Sequence, residues 1–269
     1  MRYLVSLSGG VASAVAADRA IARYGRDVVD LWIADTSWED DDLWRFVADC
    51  CKRWGILPYY YRDGRTPLQV AEDRTIIPNQ KIAPCSFELK IEPFTRFLRT
   101  YPKPVTVMLG LDWKEIHRME APKKNYESIN GVVVDFPLMW EPIDARPYYE
   151  IVQSWGIAPP RLYDLGFSHN NCGGRCVKQG IRQWKILQKH IYERFAEVRD
   201  WEQAQRAKGD ARADYTIVRD QTNYGVQPMT LAQLEARTKQ PYRKRQSKRG
   251  KIVDEGPSMD DTYGCMCSY

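Results

Sequence analysis

The beginning of the fold is decided by Ser8-Gly9-Gly10-Val11-Ala12-Ser13. This stretch follows the apolar run 3–7 and precedes residues 14–17, which have helical composition. A strand that breaks at two glycines and continues as a helix leaves backbone N–H groups pointing outward, with the positive end of the helix dipole behind them. Glycine is required because the backbone must approach a ligand closely. The stretch therefore predicts a bound phosphate. The candidate contact residues are Ser6, Ser8, Gly9, Gly10 and Ser13.

Short apolar runs alternate with amphipathic segments over the first two thirds of the chain, which is typical of βαβ units and a parallel sheet. Strands are predicted near 2–7, 28–34, 56–61, 104–110 and 132–136, and helices near 11–24, 40–54, 86–100 and 145–155. A long helix is predicted over 177–208, and a short one over 230–239 with Thr230 as its cap.

These elements predict an α/β fold: an open, mostly parallel twisted sheet with helices on both faces, followed by a helical and irregular C-terminal extension. The predicted division is a nucleotide-binding domain over 1–160, a cysteine loop with the long helix over 161–208, and the extension over 209–269.

Two further residues are expected at the same rim as the Gly-Gly stretch, because ligands of open parallel sheets bind beyond the carboxyl ends of the strands. Asp35 ends the second predicted strand and Gly110 ends the fourth. Asp35 is predicted to contact the ribose or base of a nucleotide, and the alternative is that it caps the following helix.

Composition excludes several classes of protein. The 269 residues carry a net charge of +5 and seven cysteines. No apolar run approaches the length of a membrane span, and no signal-peptide pattern is present. An odd cysteine count without a secretion signal indicates a reducing compartment, so we expect a cytoplasmic protein without a membrane partner. The basic run 237–251 either binds the phosphate backbone of a nucleic acid or is a solvated tail.

Cysteines form a second group of interest. Cys172 and Cys176 lie in a glycine-rich loop, and Cys85 directly precedes a predicted helix, whose dipole favours a thiolate. Three loop thiolates fit an iron–sulfur cluster with one open iron, or a zinc site completed by a ligand such as His169. The alternative is that they are buried and inert.

Four other cysteines have different settings. Cys50 and Cys51 fall within a predicted amphipathic helix and are expected to be structural. Cys265 and Cys267 lie in the C-terminal tail, where they supply a nucleophile, complete a metal shell or have no role.

With these motifs in order, the chain resembles the phosphoadenosine-phosphosulfate (PAPS) reductase-like branch of the PP-loop superfamily over about residues 1–185. The matching segments are Ser8–Ser13, Cys85–Pro93, Gly110–Arg118, Pro137–Trp140 and Leu162–Cys176. The resemblance implies that ATP or a related adenine nucleotide binds the loop, that Lys90 and Arg118 neutralise phosphate or sulfate oxygens, and that a [4Fe–4S] cluster is bound. The implied cluster ligands are Cys85, Cys172 and Cys176.

This chain also departs from the family pattern. Many members that adenylate a substrate carry Lys-Asp where this chain has Val11-Ala12, so a phosphate-neutralising charge and a possible magnesium ligand are absent. Asp112 replaces the first Arg of its segment. The reductases end in a Glu-Cys-Gly-type tail whose cysteine attacks sulfur, and Cys265 or Cys267 would have to substitute for it.

The expected function is therefore a PP-loop enzyme that acts at an α-phosphate or a phosphosulfate, in sulfur transfer. One alternative is a sulfonucleotide reductase. Another is a catalytically inactive accessory protein of a phage, mobile element or CRISPR locus, which binds nucleotide or nucleic acid.

Overall fold

The structure is a computed structural model that describes residues 1–222 and 225–239. These residues form two compact units. The first comprises Met1–Val70 and Cys85–Gly173, and the second comprises Ala71–Pro84 and the described residues from Gly174 onward. The division into three parts that the sequence suggests stays a prediction.

The first unit is built on a five-stranded parallel sheet. Its strands are β1 (Arg2–Ser6), β2 (Val29–Asp35), β3 (Tyr59–Arg62), β4 (Val105–Met108) and β5 (Val132–Asp135). Their order in the sheet is β3-β2-β1-β4-β5. All five predicted strands are present. Strands β2 and β3 lie on one side of β1, and β4 and β5 lie on its other side. The direction of strand addition therefore reverses after β3, which places the topological switch point between β1 and β4.

Eleven α-helices lie in the described residues. They are α1 (Val11–Tyr24), α2 (Asp41–Trp54), α3 (Pro67–Asp73), α4 (Pro84–Ser86), α5 (Glu92–Thr100), α6 (Glu120–Tyr126), α7 (Tyr148–Ser154), α8 (Arg161–Asp164), α9 (Ile181–His190), α10 (Tyr192–Arg206) and α11 (Leu231–Lys239). Short 3-10 segments lie at Trp113–Arg118, Pro137–Met139, Cys172–Gly174 and Ala211–Asp214.

Helices cover both faces of the sheet, as predicted, because successive strand residues point to opposite faces. On one face Val5 and Leu31 pack with buried residues of α1, α2 and α7. On the other face Leu4 and Val107 pack with Phe94 of α5 and with a residue of α6. The fold class expected from the sequence is therefore confirmed.

The prediction of a single helix over 177–208 is wrong. The chain forms α9 and α10, which are separated at Ile191, where the backbone leaves the helical region with φ −141° and ψ 63°. The break lets α10 turn back, so that the buried ring of Phe195 packs edge-on against Trp184 at 6.4 Å between centroids. A continuous helix would hold positions 184 and 195 about 16 Å apart along its axis, so this ring contact requires the break.

The helix expected over 86–100 starts at Pro84 and is not uniform. Residues Phe87–Ile91 form a π-helical turn between α4 and α5. That turn lies directly before Pro93, which has no N–H with which to continue the regular ladder.

The second unit contains an antiparallel hairpin that the sequence did not indicate, formed by β6 (Val218–Thr222) and β7 (Gly225–Met229). The short helix that follows it is confirmed. Thr230 Oγ1 accepts from the N–H of Gln233 at 3.1 Å, and Gln233 Oε1 accepts from the N–H of Thr230 at 2.8 Å. This reciprocal pair is a capping box.

Within the part of the chain that the structure describes, no helix combines the length and the apolar character needed to cross a membrane.

Candidate functional site

The loop Ser8–Ser13, called the Gly-Gly loop below, joins β1 to α1 at the switch point of the sheet. Gly9 adopts φ +76°, and a β-carbon there would lie 2.5 Å from the Leu43 side chain. Gly10 has an ordinary φ of −98°, but its β-carbon would lie 3.1 Å from the hydroxyl of Tyr163. Both positions favour glycine, the first for its backbone angle and the second for the approach of another side chain.

The two serine hydroxyls of the Gly-Gly loop face its interior. The backbone N–H of Ser8 donates to Ser13 Oγ at 3.1 Å, and Ser8 Oγ lies 3.0 Å from Ser13 Oγ. The Ser13 hydroxyl donates to the carbonyl of Gly10 at 2.9 Å. These hydroxyls hold the loop closed upon itself and can turn toward a ligand.

Several backbone N–H groups lie at the start of α1. Among the hydrogen bonds of the described residues, none takes the N–H groups of Gly9, Gly10, Ala12 or Ser13 as donors. The N–H of Val11 meets the Tyr163 hydroxyl at 3.4 Å. The first turn of this 14-residue helix carries no acidic residue. Free donors and the helix dipole therefore make this end of α1 suited to an anion.

Gly110 lies next to the Gly-Gly loop, as expected from the sheet. A β-carbon at Gly110 would lie 2.9 Å from Cα of Ser13, which is backbone and cannot move aside easily. Gly110 thus lets the end of β4 approach α1. Its contact with a nucleotide, like that of Ser6, stays a prediction.

Asp35 is buried at the end of β2. Its carboxylate accepts from the hydroxyl of Tyr60 at 2.5 Å and from the N–H of Ser37 at 2.7 Å. Burial and the bond to Asp35 raise the pKa of Tyr60 to about 12. The alternative that Asp35 caps the next helix is wrong, because Asp40 caps α2 by accepting from the N–H of Asp42 at 3.0 Å.

Lys90 lies in a buried cluster around Glu39, whose side chain is only 3% exposed. Glu39 Oε1 accepts from the Thr36 hydroxyl at 2.9 Å and lies 3.6 Å from Lys90 Nζ. Glu39 Oε2 accepts from the N–H of Cys172 at 2.5 Å. One carboxylate therefore joins the predicted anion-binding lysine to a predicted metal-ligating cysteine. Glu39 was not identified from the sequence. Its position shortly after β2 was a signal that could have found it, because ligands bind beyond the carboxyl ends of parallel strands.

Arg118 is buried and pairs with Glu115, whose pKa is raised by burial. Desolvation by the surrounding protein atoms and the charge of Arg118 lower the pKa of His169 to about 4. His169 is therefore neutral at pH 7.

Asp112 lies where the family that the sequence resembles has an arginine, and here it has a structural role. It caps the 3-10 segment Trp113–Arg118 by accepting from the N–H of Lys114 at 2.9 Å. It also accepts from the hydroxyl of Tyr148 at 2.8 Å. The substitution therefore replaces a charge expected at this rim by a cap and a contact with α7.

Cys85, Cys172 and Cys176 are buried; the first two belong to the first unit and the last to the second. Over residues 1–222 and 225–239, no group of three or more His, Cys, Asp and Glu side chains is arranged to hold a metal ion. The cluster and the zinc alternative therefore stay predictions, and no chemical step below runs through them. Cys50 and Cys51 pack in the core of the first unit, as expected of structural residues.

Residues 240–269 lie outside the described part of the chain. Cys265, Cys267 and most of the basic run 237–251 fall there, so the predictions for them stay untested. Arg237, at the start of that run, pairs with Asp220 at 2.8 Å.

Two side chains near the Gly-Gly loop were not identified from the sequence. Tyr163, at the end of α8, meets the N–H of Val11, and Asn170 donates from Nδ2 to the carbonyl of Gly9 at 3.0 Å. Both lie in the segment Leu162–Cys176, where the sequence analysis assigned a role only to the two cysteines.

Fold and site together define an open α/β protein with a glycine loop, rich in N–H groups without acceptors among the described residues, at the switch point of its sheet. No family model matches the sequence, and no curated protein matches it. Fourteen chains of solved structures match. One is phosphoadenylyl-sulfate (PAPS) reductase from Candida auris in its phosphate complex, with 17% identity over 62% of this chain and 79% of that chain and a TM-score of 0.43.

Proposed function

We propose that this protein binds ATP or a related adenine nucleotide, with the phosphate chain on the Gly-Gly loop. The observation that carries the proposal is the set of N–H donors without protein acceptors among the described residues, at the start of α1 and at the switch point of the sheet. Phosphate is the ligand that such a combination of free N–H groups and helix dipole favours.

The adenine part of the proposal comes from the sequence motifs, and the surroundings of the loop are compatible with a nucleotide. Asp35 lies at the end of β2, on the rim where a ribose is expected. Lys90 and Arg118 supply positive charge in the same unit, although each already lies beside a glutamate. A polyanionic ligand would compete with those glutamates for the two cations.

As chemistry, we propose reaction at the α-phosphate of a nucleotide or at a phosphosulfate, in sulfur transfer. Backbone N–H groups of the loop, with Lys90 and Arg118, would stabilise the negative charge on the departing group, which is pyrophosphate after attack at the α-phosphate and the nucleotide phosphate after attack at the sulfur of a phosphosulfate. In the reductase alternative Cys265 or Cys267 would attack that sulfur as a thiolate and become S-sulfocysteine, and a second thiol would release sulfite as a disulfide forms. Nucleic-acid binding through 237–251 belongs to the proposal as a prediction from the sequence. Magnesium is compatible with it as a partner of the bound phosphates, although Ala12 stands where many family members carry an Asp.

A second candidate is nucleotide binding without turnover, and the start of α1 favours it. Val11 is 6% exposed and packs in the core, and the first turn has neither a lysine nor an acidic residue. The loop itself thus provides no charge for leaving-group stabilisation. Incubation with ATP, or with a phosphosulfate and a thiol reductant, followed by assay of pyrophosphate and sulfite, distinguishes the two candidates.

Binding is tested by calorimetric titration of the full chain with ATP, inorganic pyrophosphate and adenosine. Ser8→Ala removes one hydroxyl donor to a charged ligand, so we expect ATP affinity to fall about tenfold. Ser128→Ala is the control, because Ser128 is exposed and its hydroxyl donates only to the carbonyl of Asn125. Absence of ATP binding at millimolar concentration, or equal affinity of Ser8→Ala and wild type, would contradict the proposal.

A further inference from the structure

Tyr163 is held at the Gly-Gly loop by a network at the start of α2. Arg161 donates from Nε and Nη2 to the two oxygens of Asp40 at 2.9 and 2.8 Å, and the Asp40 side chain is fully buried. The N–H of Arg161 donates to Asp42 at 2.7 Å. These charge-assisted bonds fix the short helix α8, and with it the position of the tyrosine ring.

The Tyr163 hydroxyl accepts hydrogen bonds but donates none within the described residues. Its oxygen is faced by the backbone N–H groups of Val11 and Asn170. Among the described residues no acceptor takes its proton. Burial raises the pKa of Tyr163 to about 12, so the hydroxyl keeps that proton at neutral pH. The ring packs against the core of the first unit, which leaves the hydroxyl at the loop.

Asn170 also contacts the Gly-Gly loop, at the carbonyl of Gly9. It is 2% exposed, and its amide donates to the carbonyl of Gly9. A carbonyl held in this way is turned away from a ligand, while the N–H groups that follow it stay available. The Oδ1 atom of Asn170 is buried and has no hydrogen-bond partner in the described part of the chain.

We propose that Tyr163 is a phosphate ligand, whose hydroxyl donates its proton in a hydrogen bond to a phosphate oxygen bound at the Gly-Gly loop. The inference rests on the proposed function and extends it, because a residue 152 positions away completes the anion site. It supplies a neutral donor at the position where Val11 offers no side-chain charge. No bond is broken in this role; the proton stays on the tyrosine oxygen.

The competing explanation is that Tyr163 only caps α1, since Gly10 has no side chain with which to do so. A cap needs the oxygen as an acceptor and does not need the proton. Loss of a cap lowers stability without changing ligand affinity. Loss of a ligand donor lowers the affinity for phosphate-bearing molecules and leaves that for adenosine unchanged.

The test is Tyr163→Phe in the full chain, titrated with inorganic pyrophosphate, ATP and adenosine. We expect the affinities for pyrophosphate and ATP to fall about tenfold or more, which is typical of a hydrogen bond to a charged group, with adenosine binding unchanged. Tyr149→Phe is the matched control, because Tyr149 is exposed and, within the described residues, its hydroxyl donates only to Glu150, at 3.3 Å. The control should bind all three molecules as wild type does.

Two other outcomes separate failure of the Tyr163 inference from failure of the proposed function. If Tyr163→Phe binds pyrophosphate as wild type does and only its melting temperature falls, the residue is a cap and the inference is wrong, while the proposed function stands. If wild type binds neither pyrophosphate nor ATP, both are wrong. Incorporation of 3-fluorotyrosine at position 163 keeps the fold and makes the hydroxyl a stronger donor. It should tighten pyrophosphate binding, and unchanged affinity would count against the inference.

Discussion

Gly9 and Gly156 adopt almost the same backbone angle, with φ +76° and +78°, but their surroundings differ. A β-carbon at Gly9 would overlap the Leu43 side chain, whereas one at Gly156 would meet no atom within 4 Å. At the scale of single residues, this pair separates the cost of a left-handed backbone from the cost of overpacking.

We expect Gly156→Ala to lower the free energy of unfolding by about 1 kcal/mol, from backbone strain alone. Gly9→Ala should cost a further ~1–3 kcal/mol, because Leu43 must move in a packed core. Urea denaturation of both variants gives the comparison. If both variants lose the same free energy of unfolding, the Leu43 side chain moves aside without a cost and the overpacking argument is wrong. In a Gly9→Ala/Leu43→Ala double variant, the total cost should be smaller than the sum of the single costs.

At the scale of elements, α10 is tied to the hairpin and to α11 by one side chain. Glu202 is fully buried and accepts from the N–H of Ile217 at 2.8 Å and from the N–H of Leu231 at 2.7 Å. Leu231 is the first residue of α11, so this carboxylate also serves the start of that helix. Glu202→Gln places an amide donor opposite one of these N–H groups and should cost about 2 kcal/mol.

The pH dependence of that cost has a definite sign. Burial raises the pKa of Glu202 above its usual 4.5, so the native state keeps the proton to higher pH than the unfolded chain does. The stability that this group contributes is therefore fully present below pH 4.5 and falls as the pH rises through the raised pKa. The variant cannot titrate. Denaturation curves should thus show a larger difference between wild type and Glu202→Gln near pH 4.5 than at pH 7, and the opposite trend would contradict this.

Local pattern predicted most elements and missed those that depend on packing. The five strands are short apolar runs, and the strand–Gly-Gly–helix order is visible in the sequence itself. The break at Ile191 was not predictable from helical periodicity, because it depends on Phe195 meeting Trp184. The hairpin Val218–Met229 lacks a continuous apolar pattern and was missed for that reason.

At the scale of the whole molecule, the predicted [4Fe–4S] cluster is tested on the full chain purified without oxygen. About four iron atoms per chain and a brown absorbance are expected if Cys85, Cys172 and Cys176 hold it. Cys172→Ser should remove the iron, whereas Cys51→Ser, a buried cysteine of the α2 core, should retain it. Stoichiometric zinc, or a colourless protein without metal, would contradict the cluster.

The sequence by itself determined the parallel α/β fold, the Gly-Gly loop and the rim at which Asp35 and Gly110 lie. Apolar alternation and a glycine-dependent turn are local properties, and the order of strands sets where their carboxyl ends meet. Only the tertiary structure decided that Tyr163 meets Val11 and that Glu39 joins Lys90 to Cys172. These pairs lie far apart in the chain, so no local pattern encodes them, and they exist because the packed elements bring them together.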